Sequence, residues 1–158
     1  MNTASRIRQG QAGVILLEAL IAILVFSLGI LSLVALQTTS IQLTSDAKYR
    51  TDASLLAGKL IGQMWASGGT PTTLKTSFES PNGAAYLAWL ANDVQARHSL
   101  PGVVGASAGV VSTLPIVTVN DTAGVNAGQV SITIFWRTPQ MDPNQAGHRH
   151  VVISQIVF

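Results

Sequence analysis

Residues 14–36, VILLEALIAILVFSLGILSLVAL, form a run of 23 positions with a single charge, Glu18. Nothing else in the chain restricts its fold as strongly. An α-helix rises about 1.5 Å per residue, so the run extends roughly 34 Å, enough to cross a bilayer core of about 30 Å. The expectation is a transmembrane helix over 14–36. Its flanks set an orientation: Arg6 and Arg8 precede it, while the next charges, Asp46, Lys48, Arg50 and Asp52, are mixed. Positive residues stay on the cytoplasmic side, which puts the N-terminus in the cytoplasm and the C-terminal part across the membrane.

The composition agrees with an anchored chain. Of 158 residues, 47% are hydrophobic and 10% charged, and the apolar content is concentrated in this one run. The net charge of +2 comes from the leader arginines; from Val14 onward seven basic residues balance seven acidic ones. No Lys/Arg cluster appears, so nucleic acid is not an expected partner. There are no cysteines, so disulfides reveal nothing about compartment. A cleaved secretory signal needs a shorter apolar region and a small-residue site after it; Val34-Ala35-Leu36-Gln37 is a poor substitute. A plain anchor fits the length but gives Glu18 no task. An acidic residue at a span's centre costs about 2.5–3.5 kcal/mol on insertion scales, so an intramembrane carboxylate is read as functional.

Gly13-Val14-Ile15-Leu16-Leu17-Glu18, behind a short basic leader and ahead of a long apolar helix, resembles the class III signal of type IV pilins and type II secretion pseudopilins. LLEALIAILVFSLGILSLVALQ, LLAGKLIGQMWA, AAYLAWLANDVQARHSLPG and QVSITIFWR are similar to PilV-type minor pilins, the type IV pilus modification proteins. The resemblance implies a leader at 1–13, cut from the chain between Gly13 and Val14 by the prepilin peptidase, with N-methylation of Val14. Val14 departs from the usual Phe or Met at that position. The implied fold is α+β and pilin-like: a long N-terminal helix, transmembrane then amphipathic, packed on a small antiparallel β-sheet. The implied partners are the prepilin peptidase, other minor pilins, the major pilin and the assembly platform. The implied location is the inner membrane of a Gram-negative bacterium, with the C-terminal domain periplasmic, and then the pilus. Neither enzymatic activity nor a cofactor is expected.

Such a cut gives Glu18 a task on physical grounds. It leaves an ammonium on Val14, and a cation and a carboxylate in an apolar medium are each costly alone and gain by pairing. Within one helix they are four residues apart. Between parallel, staggered helices the amine of one subunit reaches Glu18 of the next.

The helix is expected to continue to Ser67, with 37–67 amphipathic. Tyr49, Ala53, Leu56, Leu60 and Met64 recur at spacings of three and four and form one apolar face. Asp46/Arg50 and Lys48/Asp52 stand at i,i+4 spacing. Ser67-Gly68-Gly69-Thr70-Pro71 stops the helix. Fewer than a hundred residues follow, so the domain over 68–158 needs the second half of the helix to complete its core. Gly29 in the apolar run is expected at a close helix contact. Gly58 and Gly62 match GxxxG outside the span and are expected where a strand approaches the helix. A second helix is expected from Ala84 to about Arg97, burying Leu87, Leu90 and Val94 with Tyr86 and Trp89 flanking. Residues 102–113 are expected to be loose. Strands are expected at 115–120, 129–137 and 150–158, as an antiparallel meander.

Other candidates fail on context. Gly105-Ala106-Ser107-Ala108-Gly109 fits G-x-S-x-G, but a nucleophile elbow needs a strand before the serine and a helix after it. His148 and His150 share one side of a strand, yet no third metal ligand is evident nearby; they are expected to be exposed polar residues. Asn120-Asp121-Thr122 is a formal glycosylation sequon of little weight in a bacterial chain. Two alternatives to a minor pilin stand: an I-type minor pseudopilin of type II secretion, and a membrane-anchored adhesive module using its β domain.

Overall fold

A computed structural model describes residues 12–96, 100–122 and 128–156. The leader arginines, the expected helix end at Arg97 and the last two residues of the expected third strand lie outside the described residues. The chain is α+β: a long helix, two short helices, a π-helical turn and a three-stranded antiparallel sheet. It divides into two units, one ending at Ser45 and the other beginning at Asp46.

Helix α1 runs without a break over Ala12–Ser67. No proline interrupts it. It ends at Gly68, whose φ of 58° only glycine adopts without cost. In the second unit α1 is amphipathic as the spacing predicts. Ala53, Leu56, Leu60 and Met64 are buried, Ala57 joins them, and Tyr49 packs against the same core.

That face meets the sheet. Strands β1 (Ile116–Val119), β2 (Gln129–Trp136) and β3 (His148–Gln155) lie in the order β1-β2-β3. Ile116 pairs with Thr133, and Trp136 pairs with His148. Strict alternation along β2 buries Val130, Ile132, Ile134 and Trp136, which join Val117, Val119 and the α1 face in one core. The meander matches the expectation. β3 begins two residues earlier than expected, at His148, which pairs with the last residue of β2, Trp136.

Helix α2, Pro71–Phe78, was not anticipated. Thr70 caps it, its hydroxyl accepting from Thr73 N at 3.3 Å, and Pro71 opens its first turn. It buries Leu74 and Phe78, four residues apart. Helix α3 covers Ala84–Trp89, and a π-helical turn, Leu90–Gln95, continues it. Gly83, before α3, has no room for a side chain: a Cβ there would lie 2.5 Å from Ser77 O.

Four expectations are corrected. Leu87 is exposed, while Tyr86 and Trp89 are buried with Leu90 and Val94. The aromatic rings carry more apolar area than one leucine, and the wider π-turn brings Leu90, Asp93 and Val94 all inward. Gly58 and Gly62 face away from the core, and a Cβ at either would meet nothing within 4 Å; no strand approaches them. The i,i+4 charge pairs do not close: the salt bridges among the described residues are Lys59–Asp93 and Lys75–Asp121. An exposed pair gains too little to hold two long side chains in one geometry. The 102–113 segment is tied down at its end. The buried Thr113 hydroxyl donates to Gly102 O and accepts from Val104 N, and Val111 N donates to Pro143 O.

Candidate functional site

The first unit holds a helix over which none of the described residues folds. Every residue from Gly13 to Thr44 is exposed, including Leu16, Phe26 and Leu31 over about two-thirds of their surface. Apolar surface of this extent is covered by lipid or by other apolar helices. The helix is long and apolar enough to cross a membrane.

Its polar groups sort the possibilities. Between residues 14 and 36 the polar side chains are Glu18, Ser27 and Ser32. Ser27 Oγ donates to Ile23 O at 2.7 Å and Ser32 Oγ to Leu28 O at 2.9 Å. Thr38, Thr39 and Thr44 bond back four residues in the same way. These hydroxyls therefore need no water, the condition for a polar group at membrane depth. Glu18 is the exception. Its carboxylate makes no hydrogen bond or ion pair with any described residue, and Val14, Leu17, Ile21, Ala22 and Val25 surround it on its side of the helix.

Gly13 and Val14 lie in the first turn of α1, five and four residues before Glu18. Val14 and Glu18 share one side of the helix, separated along the axis by roughly 6 Å. Glycine at 13 answers no demand of the fold: its φ is not positive, and a Cβ would meet nothing within 4 Å. The same holds for Gly29, where no close packing within this chain accounts for the residue.

The second unit offers ties instead of chemistry. Lys59 Nζ donates to Asp93 Oδ1 at 2.6 Å, joining α1 to the π-turn. Lys75 Nζ donates to Asp121 Oδ1 at 2.9 Å, joining α2 to the end of β1. That hydrogen bond and the charge behind it hold the Asp121 carboxyl below its ordinary pKa and the Lys75 ammonium above its own. Tyr86 Oη donates to Pro115 O at 2.8 Å, and burial raises the phenol's pKa. Arg137 is buried at the end of β2; its Nη2 donates to Val111 O and Gln145 O, clamping two loops. Sequence reasoning missed this clamp. An arginine directly after an alternating strand was the available signal.

The rejected motifs fall where they can do little. Ser107 sits in an exposed turn closed by its own backbone bonds to Val110, with no strand before it and no helix after. His148 and His150 share the inner side of β3, as expected, but are half-buried instead of exposed. His148 stacks on Trp136 with ring centroids 5.7 Å apart. No group of three or more His, Cys, Asp or Glu side chains suited to a metal occurs among the described residues.

Set against family models, curated proteins and solved structures, the chain matches none. Its own architecture defines its class: an α+β protein whose N-terminal helix is long and apolar enough to cross a membrane, carried by a domain with a three-stranded antiparallel sheet.

Proposed function

We propose that this chain is a minor type IV pilin of the PilV type, processed after Gly13 and taken into a pilus or its initiating tip complex. The observation that carries the reading is Glu18: the one polar side chain of residues 14–36 that the helix does not satisfy for itself, one turn from Val14 on a helix that nothing covers.

The chemistry is that of a substrate and then of a building block. The prepilin peptidase hydrolyses the Gly13–Val14 bond. Water supplies the hydroxyl that completes the Gly13 carboxylate of the leader, and Val14 keeps an ammonium, which is then a target for methylation. The helix now carries a cation at its first residue and an anion at its fifth. Placed beside a parallel helix displaced along the axis, the ammonium meets Glu18 of the neighbour. In lipid each charge alone is costly, and in the paired state each satisfies the other. Pairing therefore draws the subunit from the bilayer and sets its stagger. A glycine with no structural demand on it supports the reading of Gly13 as a recognition residue. The second unit is then the part displayed outside the membrane, and the chain has no catalysis of its own.

Glu18→Ala tests this reading. The variant is cut normally but fails to enter sheared pili. Breaking one side of a buried ion pair costs about 3–5 kcal/mol, so incorporation falls by roughly a hundredfold or more. Normal incorporation would refute the pairing role. Gene disruption assigns the machine: loss of piliation and twitching is expected, and loss of exoprotein secretion with pili intact would move the chain to the type II secretion pseudopilins.

A further inference from the structure

Helix α1 is held by different things along its length. Over 53–64 it buries Ala53, Leu56, Ala57, Leu60 and Met64. Over 14–36 its side chains suit lipid or detergent, where opened backbone groups find no water and the helix stays closed. Residues 37–45, QTTSIQLTS, have neither a core nor an apolar run. All of 37–44 are exposed and Ser45 is half-buried. The two large apolar side chains of the segment, Ile41 and Leu43, are exposed over about two-thirds of their surface.

Local chemistry does not make up for this. Thr38, Thr39, Ser40, Ile41, Thr44 and Ser45 are of types that a helix accommodates less readily than alanine, leucine or lysine. Thr38 Oγ1 donates to Val34 O at 3.1 Å, Thr39 Oγ1 to Ala35 O at 3.2 Å and Thr44 Oγ1 to Ser40 O at 2.9 Å. Each of those carbonyls also faces the helical N–H of the same threonine, and such back-bonding slightly destabilises and bends a helix. No Asp, Glu, Lys or Arg occurs between Glu18 and Asp46, so no ion pair at i,i+4 spacing braces the segment.

We infer that α1 opens first at 37–45, ahead of the apolar run before it and the buried face after it. A stretch this short without an apolar face makes a marginal helix in water. Local opening starts where buried apolar contacts are few and backbone hydrogen bonds face solvent. Once the segment is open, water takes its N–H and C=O groups. Passing from about 1.5 to about 3.3 Å per residue, it lengthens by roughly 16 Å, and the buried face of 53–64 is left intact. Gly29 is the competing weak point, since glycine is the poorest helix former in the apolar run. It lies where opened groups have no water to turn to, and that difference favours 37–45. The inference does not rest on the proposed function; it needs only lipid or detergent around the apolar run.

The test is hydrogen–deuterium exchange of the full chain in detergent micelles, read by mass spectrometry of peptic fragments. Amides of 41–45, whose helical acceptors also lie in the segment, are expected to exchange about a hundredfold or more faster than those of 53–64 and of 22–36. Thr38→Ala, Thr39→Ala and Thr44→Ala made together raise helix propensity without touching the core. They are expected to slow exchange at 41–45 by about tenfold, with exchange at 53–64 and the melting temperature of the second unit unchanged. Exchange at 41–45 as slow as at 53–64, opening that begins around Gly29, or no response to the three substitutions would each overturn the inference.

Discussion

Among the described residues, nothing in the apolar half of α1 has less support than Glu18, and that is why it is informative. Ser27 and Ser32 show how the helix treats a polar group it means to keep inert, by returning the hydroxyl to a carbonyl four residues back. A carboxylate has no proton to return. Its position was readable from sequence because an anion in an apolar run is a chemical anomaly that needs no tertiary information to notice. Other residues were not readable in that way. Arg137 and Asp93 are buried by elements distant in sequence, and Ser80 closes the β1 edge from 37 residues away. Titration provides a residue-scale prediction. Asp121 has a folded pKa held below its ordinary value by Lys75, so its contribution to stability is present above about pH 4 and is lost as pH falls through the lower folded value. Lys75 works in the opposite sense, its contribution present below its ordinary value and lost as pH rises past the raised one. Asp121→Asn should therefore flatten the acid limb of the melting-temperature profile and leave neutral-pH behaviour little changed. An unaltered acid limb would show that the pair does not matter to folding.

Among the elements, α1 was the most legible, because spacings of three and four repeat over enough turns to define a face. The prediction at this scale compares its two sides. Leu60 is fully buried and Leu55 is two-thirds exposed. Leu60→Ala should cost about 2–5 kcal/mol, and Leu55→Ala should stay within about 0.5 kcal/mol, read by denaturant unfolding in detergent with tryptophan fluorescence. Equal losses would mean that Leu55 is covered in the folded protein. Helix α2 escaped notice because PTTLKTSF reads as a polar loop and only Leu74 and Phe78 enter the core. Its start signals, Thr70 and Pro71, also belong to the stop of α1, and one breaker was made to serve one purpose. The inward side of α3 was misjudged because a 3.6-residue period extended through 90–95 does not allow for the π-turn, which lets adjacent residues such as Asp93 and Val94 both turn inward. The strands were placed nearly as found, since alternation in QVSITIFW has a single reading.

For the molecule as a whole, two requirements are met by different ends of the chain. The first unit presents apolar surface that the described residues leave bare, on a helix long and apolar enough to cross a membrane. The second has its own core, drawn from α1, the short helices and the sheet. On the proposed pilin reading, a subunit that passes from membrane to filament needs both: a helix content in either apolar medium, and a domain whose fold does not depend on which one it occupies. The account turns on one event, the creation of a charged amine at Val14. Intact-mass and N-terminal peptide mass spectrometry of the chain recovered from membranes tests it directly. The account predicts a chain that has lost its first thirteen residues and begins at Val14. A chain still beginning at Met1, or one cut after residue 36, would contradict it.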